Sequence, residues 1–187
     1  TLINDAAEAD LMNVFAKGEE GISVFLVEKN RPGLRMLRKL DPIGLRSSPV
    51  YEFELKDCKV NADHLIGNIG QGFQTFFSAF NFSRLGNASA ALGIAQCTFD
   101  KTVDYLRKRD VGARFATEFQ GLRWLLAELS TQLEAARLMR NRAAAMEDQK
   151  QNVNLVSSQT KLFCVNVAER VVADCIQATG RFGCLRD

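Results

Sequence analysis

The sequence predicts an α+β chain, with a partial antiparallel β region followed by an up-down bundle of three long helices. Three observations carry this. All three prolines (Pro32, Pro42, Pro49) precede Val50, and proline breaks helix interiors. From Val50 to Lys56 the chain alternates, with Tyr51, Phe53 and Leu55 on one face and Glu52, Glu54 and Lys56 on the other, the period of a half-buried strand. From Gly72 the apolar residues recur at steps of three and four, the period of a helix. The expected division is 1–69 for the β part and 70–187 for the helical part.

The β part reads as short strands. Leu11 to Phe15 and Ile22 to Val27 are β-branched or aromatic runs, separated by the glycine-containing turn from Lys17 to Gly21. Arg31-Pro32-Gly33 is a turn signal. The run from Gly67 to Gly72 is glycine-rich, but it lacks GxGxxG order and no parallel βαβ unit follows. It reads as a turn that swings the chain into the bundle.

The first helix is expected from about Gly72 to Lys108, with a stripe of Phe73, Phe76, Phe77, Phe80, Ala88, Leu92, Ala95, Phe99, Val103 and Leu106. Asp110-Val111-Gly112-Ala113 breaks it. The second is expected from about Thr117 to Met146, with Thr117 as N-cap, Gln120 completing a capping box, and a stripe of Leu122, Leu126, Leu129, Leu133 and Ala136. The third is expected from about Asn152 to Ala178, with Leu155, Leu162, Val165, Ala168, Val172, Cys175 and Thr179 on its buried face and Gly180 as its C-cap. Three such helices make most of a four-helix bundle. The fourth element would lie past residue 187 or come from another subunit.

Composition excludes several classes. With 47% hydrophobic and 25% charged residues the chain is an ordinary globular sequence, and a net charge of +2 gives no basic field for nucleic acid. No apolar run approaches the ~20 residues of a membrane span. The five cysteines are scattered without CxxC and read as buried free thiols. His64, the single histidine, has no partner at ligand spacing, so no metal site is expected. The N-terminus has no signal-peptide pattern and starts inside a strand-like run, so the chain reads as a piece of something longer.

Several residues stand out chemically, each with two readings open. Arg84 falls at an inward or intermediate position directly after Asn81-Phe82-Ser83, and is either a structural ion pair or a partner for an anion or carbonyl in a cleft. Arg107, Lys108, Arg109 and Arg114 cluster at the first helix–helix turn, either as a solvated charge run or as a phosphate site. Gln177 to Gly183 is either a helix terminator or a place of close approach to a ligand.

Six segments, taken in order, resemble the acyl-CoA dehydrogenase family. Leu2-Ile3-Asn4-Asp5 with Glu8-Ala9-Asp10 is similar to its W-I-(S/T)-N…AD segment, and GISVFLVEKNRPGL to its hairpin. GLRSSPVYEFELKDCKVNADHLIG resembles its G-x-R-(G/S)-S…F…V-P…L-G stretch. FNFSRLGNASAALGIAQ, RDVGARFATEFQGLRWLLAEL and QATGRFGCLRD resemble three successive helical motifs. The resemblance covers essentially the whole chain, as the C-terminal part of a middle β-domain followed by a truncated C-terminal helical domain.

That resemblance implies an FAD-dependent enzyme that desaturates an acyl-CoA thioester. Asn81, Phe82, Ser83 and Arg84 would face the acyl-CoA. Asn4, Arg109, Gln120, Gln177, Gly180 and Arg181 would hold FAD, with Arg109 and Gln120 reaching its pyrophosphate in a neighbouring subunit. It further implies a homodimer or homotetramer with FAD at the subunit interface, an electron-transfer flavoprotein as possible acceptor, and a mitochondrial-matrix or bacterial cytoplasmic setting. Three departures qualify it. Leu2 and Asn4 replace the family's Trp and hydroxyl residue. Arg181 replaces a glycine, where a long cation would either obstruct FAD or pair with its phosphates. The carboxylate base is expected beyond Asp187, and Ser83 stands where a minority of members place it. Two alternatives follow: a non-catalytic relative acting in assembly or acyl-CoA binding, or a flavin oxidase or monooxygenase on the same fold.

Overall fold

The computed structural model describes residues 2–111 and 115–185, with Ser78 described through its backbone. The expected breaker residues Gly112 and Ala113, and Arg114 of the basic cluster, lie outside the described residues. Contacts divide the chain into two compact units, one up to Ser78 and one from Ala79.

The first unit holds two three-stranded antiparallel sheets. β1 (Leu2–Asn4), β5 (Val50–Leu55) and β4 (Leu34–Leu40) form one, in the order β1-β5-β4. β2 (Leu11–Gly18), β3 (Gly21–Glu28) and β6 (Leu65–Ile66) form the other, in the order β2-β3-β6. The β2–β3 hairpin is tighter than expected. Pairing continues to Gly18 opposite Gly21, so Glu19 and Glu20 alone make the turn. β4 is a strand that the sequence reading did not predict, because LRMLRKL shows no clean alternation. It pairs with β5 across an irregularity at Met36/Arg38, and its Arg35, Arg38 and Lys39 are exposed on a sheet edge, where charge discourages further pairing.

Tyr51 and Phe53 are buried as their alternation predicts, packing with Ala6 and Met12, whereas Leu55 is exposed at the strand end. The Tyr51 hydroxyl donates to the Glu8 carboxylate at 2.8 Å, and this bond pushes the phenol pKa up. The glycine-rich run is the expected turn. Gly70 has φ +76°, and a side chain there would put Cβ 2.3 Å from the Glu20 carbonyl oxygen, so only glycine fits.

The helices are α1 (Gly72–Lys108), α2 (Gln120–Asp148) and α3 (Asn154–Thr179). Thr117 is not the N-cap of α2. It sits in a short 3-10 turn, Ala116–Glu118, and Phe119 occupies the cap. The turn is fixed from behind by the Ala116 amide donating to the Arg109 carbonyl at 3.0 Å.

The core of the second unit interleaves alanine, cysteine and valine with three leucines. Ala88, Leu92 and Ala95 of α1 meet Leu129, Leu133 and Ala136 of α2 and Cys164, Val167, Ala168, Val171 and Cys175 of α3. This corrects two expected stripes. On α3, Leu155 and Leu162 are 71% and 64% exposed, and Val165 is exposed too, while Ser157, Thr160 and Cys164 face inward. On α1, Phe73 and Phe80 are exposed and Phe76 and Phe77 half-buried. Helix α3 is apolar on more than one side, so two overlapping stripes satisfy the 3.6-residue period. The small-residue stripe packs inward because it lets backbones approach closely. Cys164 and Cys175 are buried as expected, but Cys97 and Cys184 are exposed and Cys58 lies between.

Two outcomes test this packing. Leu129→Ala is expected to cost about 2–5 kcal/mol in chemical denaturation, and Leu155→Ala no more than about 0.5 kcal/mol. Burial pushes both core thiols up, against the field of Arg140 at Cys164 and a Thr102 hydrogen bond at Cys175. Their folded-state pKa values therefore lie above that of an unfolded thiol, about 8.5. The stability they add is complete below that pH and is lost as pH rises through the folded values. The denaturation midpoint should fall as pH rises above about 8.5, and fall less steeply in the Cys164→Ala, Cys175→Ala double variant.

Candidate functional site

Two clusters of ligand-binding chemistry lie on the helical unit, near opposite ends of α1. The first is organised by a buried amide. Asn81 is 5% exposed. Its Oδ1 accepts from Arg84 Nη1 at 2.7 Å and from Ser157 Oγ at 3.0 Å, and its Nδ2 donates to Asn154 Oδ1 at 2.6 Å. Asn81 therefore spends its polar atoms on α3 and on Arg84. It holds one edge of the guanidinium, which limits where the rest can point. Arg84 lines a cavity of about 290 Å³ between α1 and α3, together with Ser158, Lys161, Leu162, Val165 and Asn166.

Helix geometry separates the four residues expected to face acyl-CoA. At 100° per residue, positions 82 and 84 point away from each other. Phe82, 72% exposed, lines a different groove with Leu85, Gly86 and Arg140, and Ser83 is exposed on its own face. The Arg84 cavity instead gains Lys161, a cation the sequence reading did not select. Its spacing from Ser158 and Leu162 is ordinary for a helix, and only the docking of α3 beside α1 brings it near Arg84.

The second cluster lies where α1 ends beside the end of α3. Arg109 Nη1 donates to the Thr179 carbonyl oxygen at 3.3 Å, and its guanidinium lies 5.8 Å from the Tyr105 ring centroid. The guanidinium thus meets the exposed carbonyl end of α3, where the helix dipole favours positive charge. Gly180 ends α3 with φ +65°, which a side chain would strain. The Arg181 guanidinium stacks 5.1 Å over the Phe182 ring, and Phe182 lies 5.9 Å from Tyr105. Beside them is a cavity of about 590 Å³ lined by Thr98, Lys101, Tyr105, Thr179 and Phe182, among others. Gln120 and Gln177 are exposed, at the start of α2 and near the end of α3. The sequence motif had no signal for Tyr105, which reaches Phe182 only through the helix pairing.

The donor set of this second cluster suits a dinucleotide. Arg109 and Arg181 are permanent cations for phosphate, Gln120 and Gln177 are free to bond polar edges, and Tyr105 and Phe182 offer flat apolar faces. Asn4 belongs to the first unit, where its Nδ2 donates to Ser48 Oγ at 3.4 Å.

Comparison with known proteins gives the lineage. The model of the acyl-CoA dehydrogenase middle domain matches residues 1–58, and that of the acyl-CoA dehydrogenase C-terminal domain matches residues 70–187. A probable short/branched chain specific acyl-CoA dehydrogenase of Dictyostelium discoideum is 35% identical over 186 residues, covering 97% of this chain and 45% of that protein. A 3-sulfinopropanoyl-CoA desulfinase of Advenella mimigardefordensis is 37% identical over 177 residues, covering 91% and 44%. The crystal structure of an acyl-CoA dehydrogenase from Geobacillus kaustophilus matches with a TM-score of 0.95 at 30% identity, covering 100% of this chain and 51% of that one. The chain thus spans about half the length of the relatives it matches. With both family models matched in order and a shared fold along its whole length, the chain belongs to the acyl-CoA dehydrogenase family.

Proposed function

We propose that the protein desaturates an acyl-CoA thioester between its α and β carbons with FAD, and that this chain contributes to two different active centres of a homo-oligomer. The observation that carries this is the spacing of its two cationic clusters. Arg84 and Arg109 are 25 residues apart along α1 and its immediate end, which at 1.5 Å per residue is roughly 37 Å. At that distance the two guanidiniums do not hold the same group. Following the family resemblance, Arg84 serves the substrate of one centre, while Arg109, Gln120, Gln177, Gly180 and Arg181 hold the FAD of a neighbouring subunit's centre.

In this reading Arg84, locked by Asn81, gives a fixed positive charge to the acyl-CoA, with Lys161 as a second cation on the opposite wall. Ser83 and Phe82 lie on other faces of α1, so their contribution to the same ligand is smaller. Asn4 would contact the flavin from the first unit. Bound FAD supplies the hydride acceptor. The proton must leave to a carboxylate, and no residue of this chain is nominated for that role, since Ser83 has no useful basicity. The electrons would pass to a second flavoprotein. No helix of the described residues is long and apolar enough to cross a membrane; the matrix or bacterial cytoplasmic setting rests on the family resemblance.

A second reading is favoured by Ser83 and by the replacement of the family's Trp and hydroxyl residue with Leu2 and Asn4: a relative that binds acyl-CoA without oxidising it.

Arg84→Ala should weaken binding of an acyl-CoA by tenfold or more while leaving the melting temperature nearly unchanged. Asn81→Ala should instead cost about 1–3 kcal/mol of stability, because three partners lose their buried bond. A fall in melting temperature for Arg84→Ala with unchanged affinity would make Arg84 purely structural.

Subunit mixing separates the two readings. Arg84→Ala and Arg109→Ala proteins should each be inactive in reducing a dye acceptor with acyl-CoA. Unfolded together and reassembled, they should recover about a quarter of wild-type activity, since half the dimers are mixed and each mixed dimer has one intact centre. No recovery from an otherwise active wild type would place both arginines in one centre. Acyl-CoA binding with no turnover by the wild type would favour the non-catalytic reading.

A further inference from the structure

The side of the bundle between α1 and α2 carries a cation that neither cluster above uses. Arg137 and Arg140 lie three residues apart on α2, on neighbouring surface positions. Arg137 is satisfied, donating from Nη2 to Gln96 Oε1 at 2.6 Å and from Nη1 to Glu134. Arg140 is not. Its Nε is buried without a hydrogen-bond partner, and among the described residues no carboxylate lies within ion-pair distance of it. A guanidinium cannot escape this by losing its proton, so a half-buried cation with no ion-pair partner among the described residues carries one buried donor left unmet.

The space beside Arg140 suits a ligand. One cavity of about 230 Å³ is lined by Ser89, Gly93, Gln96, Arg137 and Arg140, with Leu92 and Leu133 as its apolar floor. A second of about 230 Å³ shares Ser89 and Arg140 with it, but Glu147 and Asp148 also line that one, so an oxyanion belongs in the first. Gly86 and Gly93 keep the α1 side open, with no atom within 4 Å of where a side chain would begin. At about 30 Å³ per water, the first cavity holds an oxyanion together with several waters. Gln96 is committed, its Nε2 donating to Asp100 at 2.8 Å. The Arg140 fork and the Ser89 hydroxyl are the donors left.

We infer that Arg140 and Ser89 form an oxyanion site for a phosphate group between α1 and α2, separate from the thioester and flavin clusters. Phosphate would meet the buried Nε–H and add a charge-assisted bond to a planar fork that has no carboxylate within ion-pair distance among the described residues.

The test compares inorganic phosphate with chloride at equal ionic strength on the purified protein. Phosphate should raise the melting temperature of the wild type beyond the chloride control. Arg140→Met should abolish that difference, and in phosphate-free buffer it should be at least as stable as wild type, because a buried unmet donor has been removed. Ser89→Ala, a milder change, should weaken phosphate binding several-fold with the fold intact. Two further arms identify the source. Displacement of phosphate by coenzyme A but not by dephospho-coenzyme A assigns the site to the nucleotide's 3′-phosphate, and displacement by neither assigns it to the free ion. A wild type that responds equally to phosphate and chloride, or an Arg140→Met variant that keeps the full phosphate response, overturns the site.

Discussion

The close approach of α2 and α3 depends on small side chains where they meet, and α1 joins the same core through Ala88, Leu92 and Ala95. Ala88 and Ala95 of α1, Ala136 of α2, and Cys164 and Cys175 of α3 are all essentially inaccessible to solvent. Small residues let helix backbones come near, so that dispersion contacts accumulate along the seam. On their outer faces Leu155, Leu162 and Phe80 stay exposed, while Leu92, Leu129 and Leu133 fill the space between the small residues.

Once the seam sets each helix's rotation, Asn81 has to face α3. A buried amide must satisfy all its polar atoms, and it does so with Asn154, Ser157 and Arg84. Arg84 is thereby drawn to the edge of the bundle rather than into solvent. At the far end the same helices bring the Arg109 guanidinium to the carbonyl end of α3, where the exposed carbonyls and the helix dipole hold a cation. Arg140 is the cost of the same rotation. It is turned toward the α1–α2 side, where its Nε is buried without a hydrogen-bond partner.

Much of this was legible beforehand. The proline boundary, the alternation at Tyr51 and Phe53, the bounds of α1 and the Gly180 stop are local signals. Each depends on backbone sterics or on a single periodicity. The failures share a different cause. The strand Leu34–Leu40 lacks alternation because its pairing with β5 breaks register at Met36/Arg38. Thr117 lost the N-cap because the chain first makes a 3-10 turn tied to the Arg109 carbonyl. The α3 stripe was misplaced because an all-round apolar helix has no unique inward face until its neighbours choose one.

The sequence alone determined the element types, their order, the family, and the presence of cations at positions 84, 109 and 181, since these follow from local chemistry and from motif order. Only the tertiary structure decided that Asn81 is buried support for Arg84, that Phe82 and Arg84 face different grooves, and that Lys161, Tyr105 and Arg140 belong to ligand-sized cavities. The physical reason is that neighbours in sequence are separated by 100° per residue on a helix, while neighbours in space come from other helices. Their docking is set by packing, which no single helix encodes.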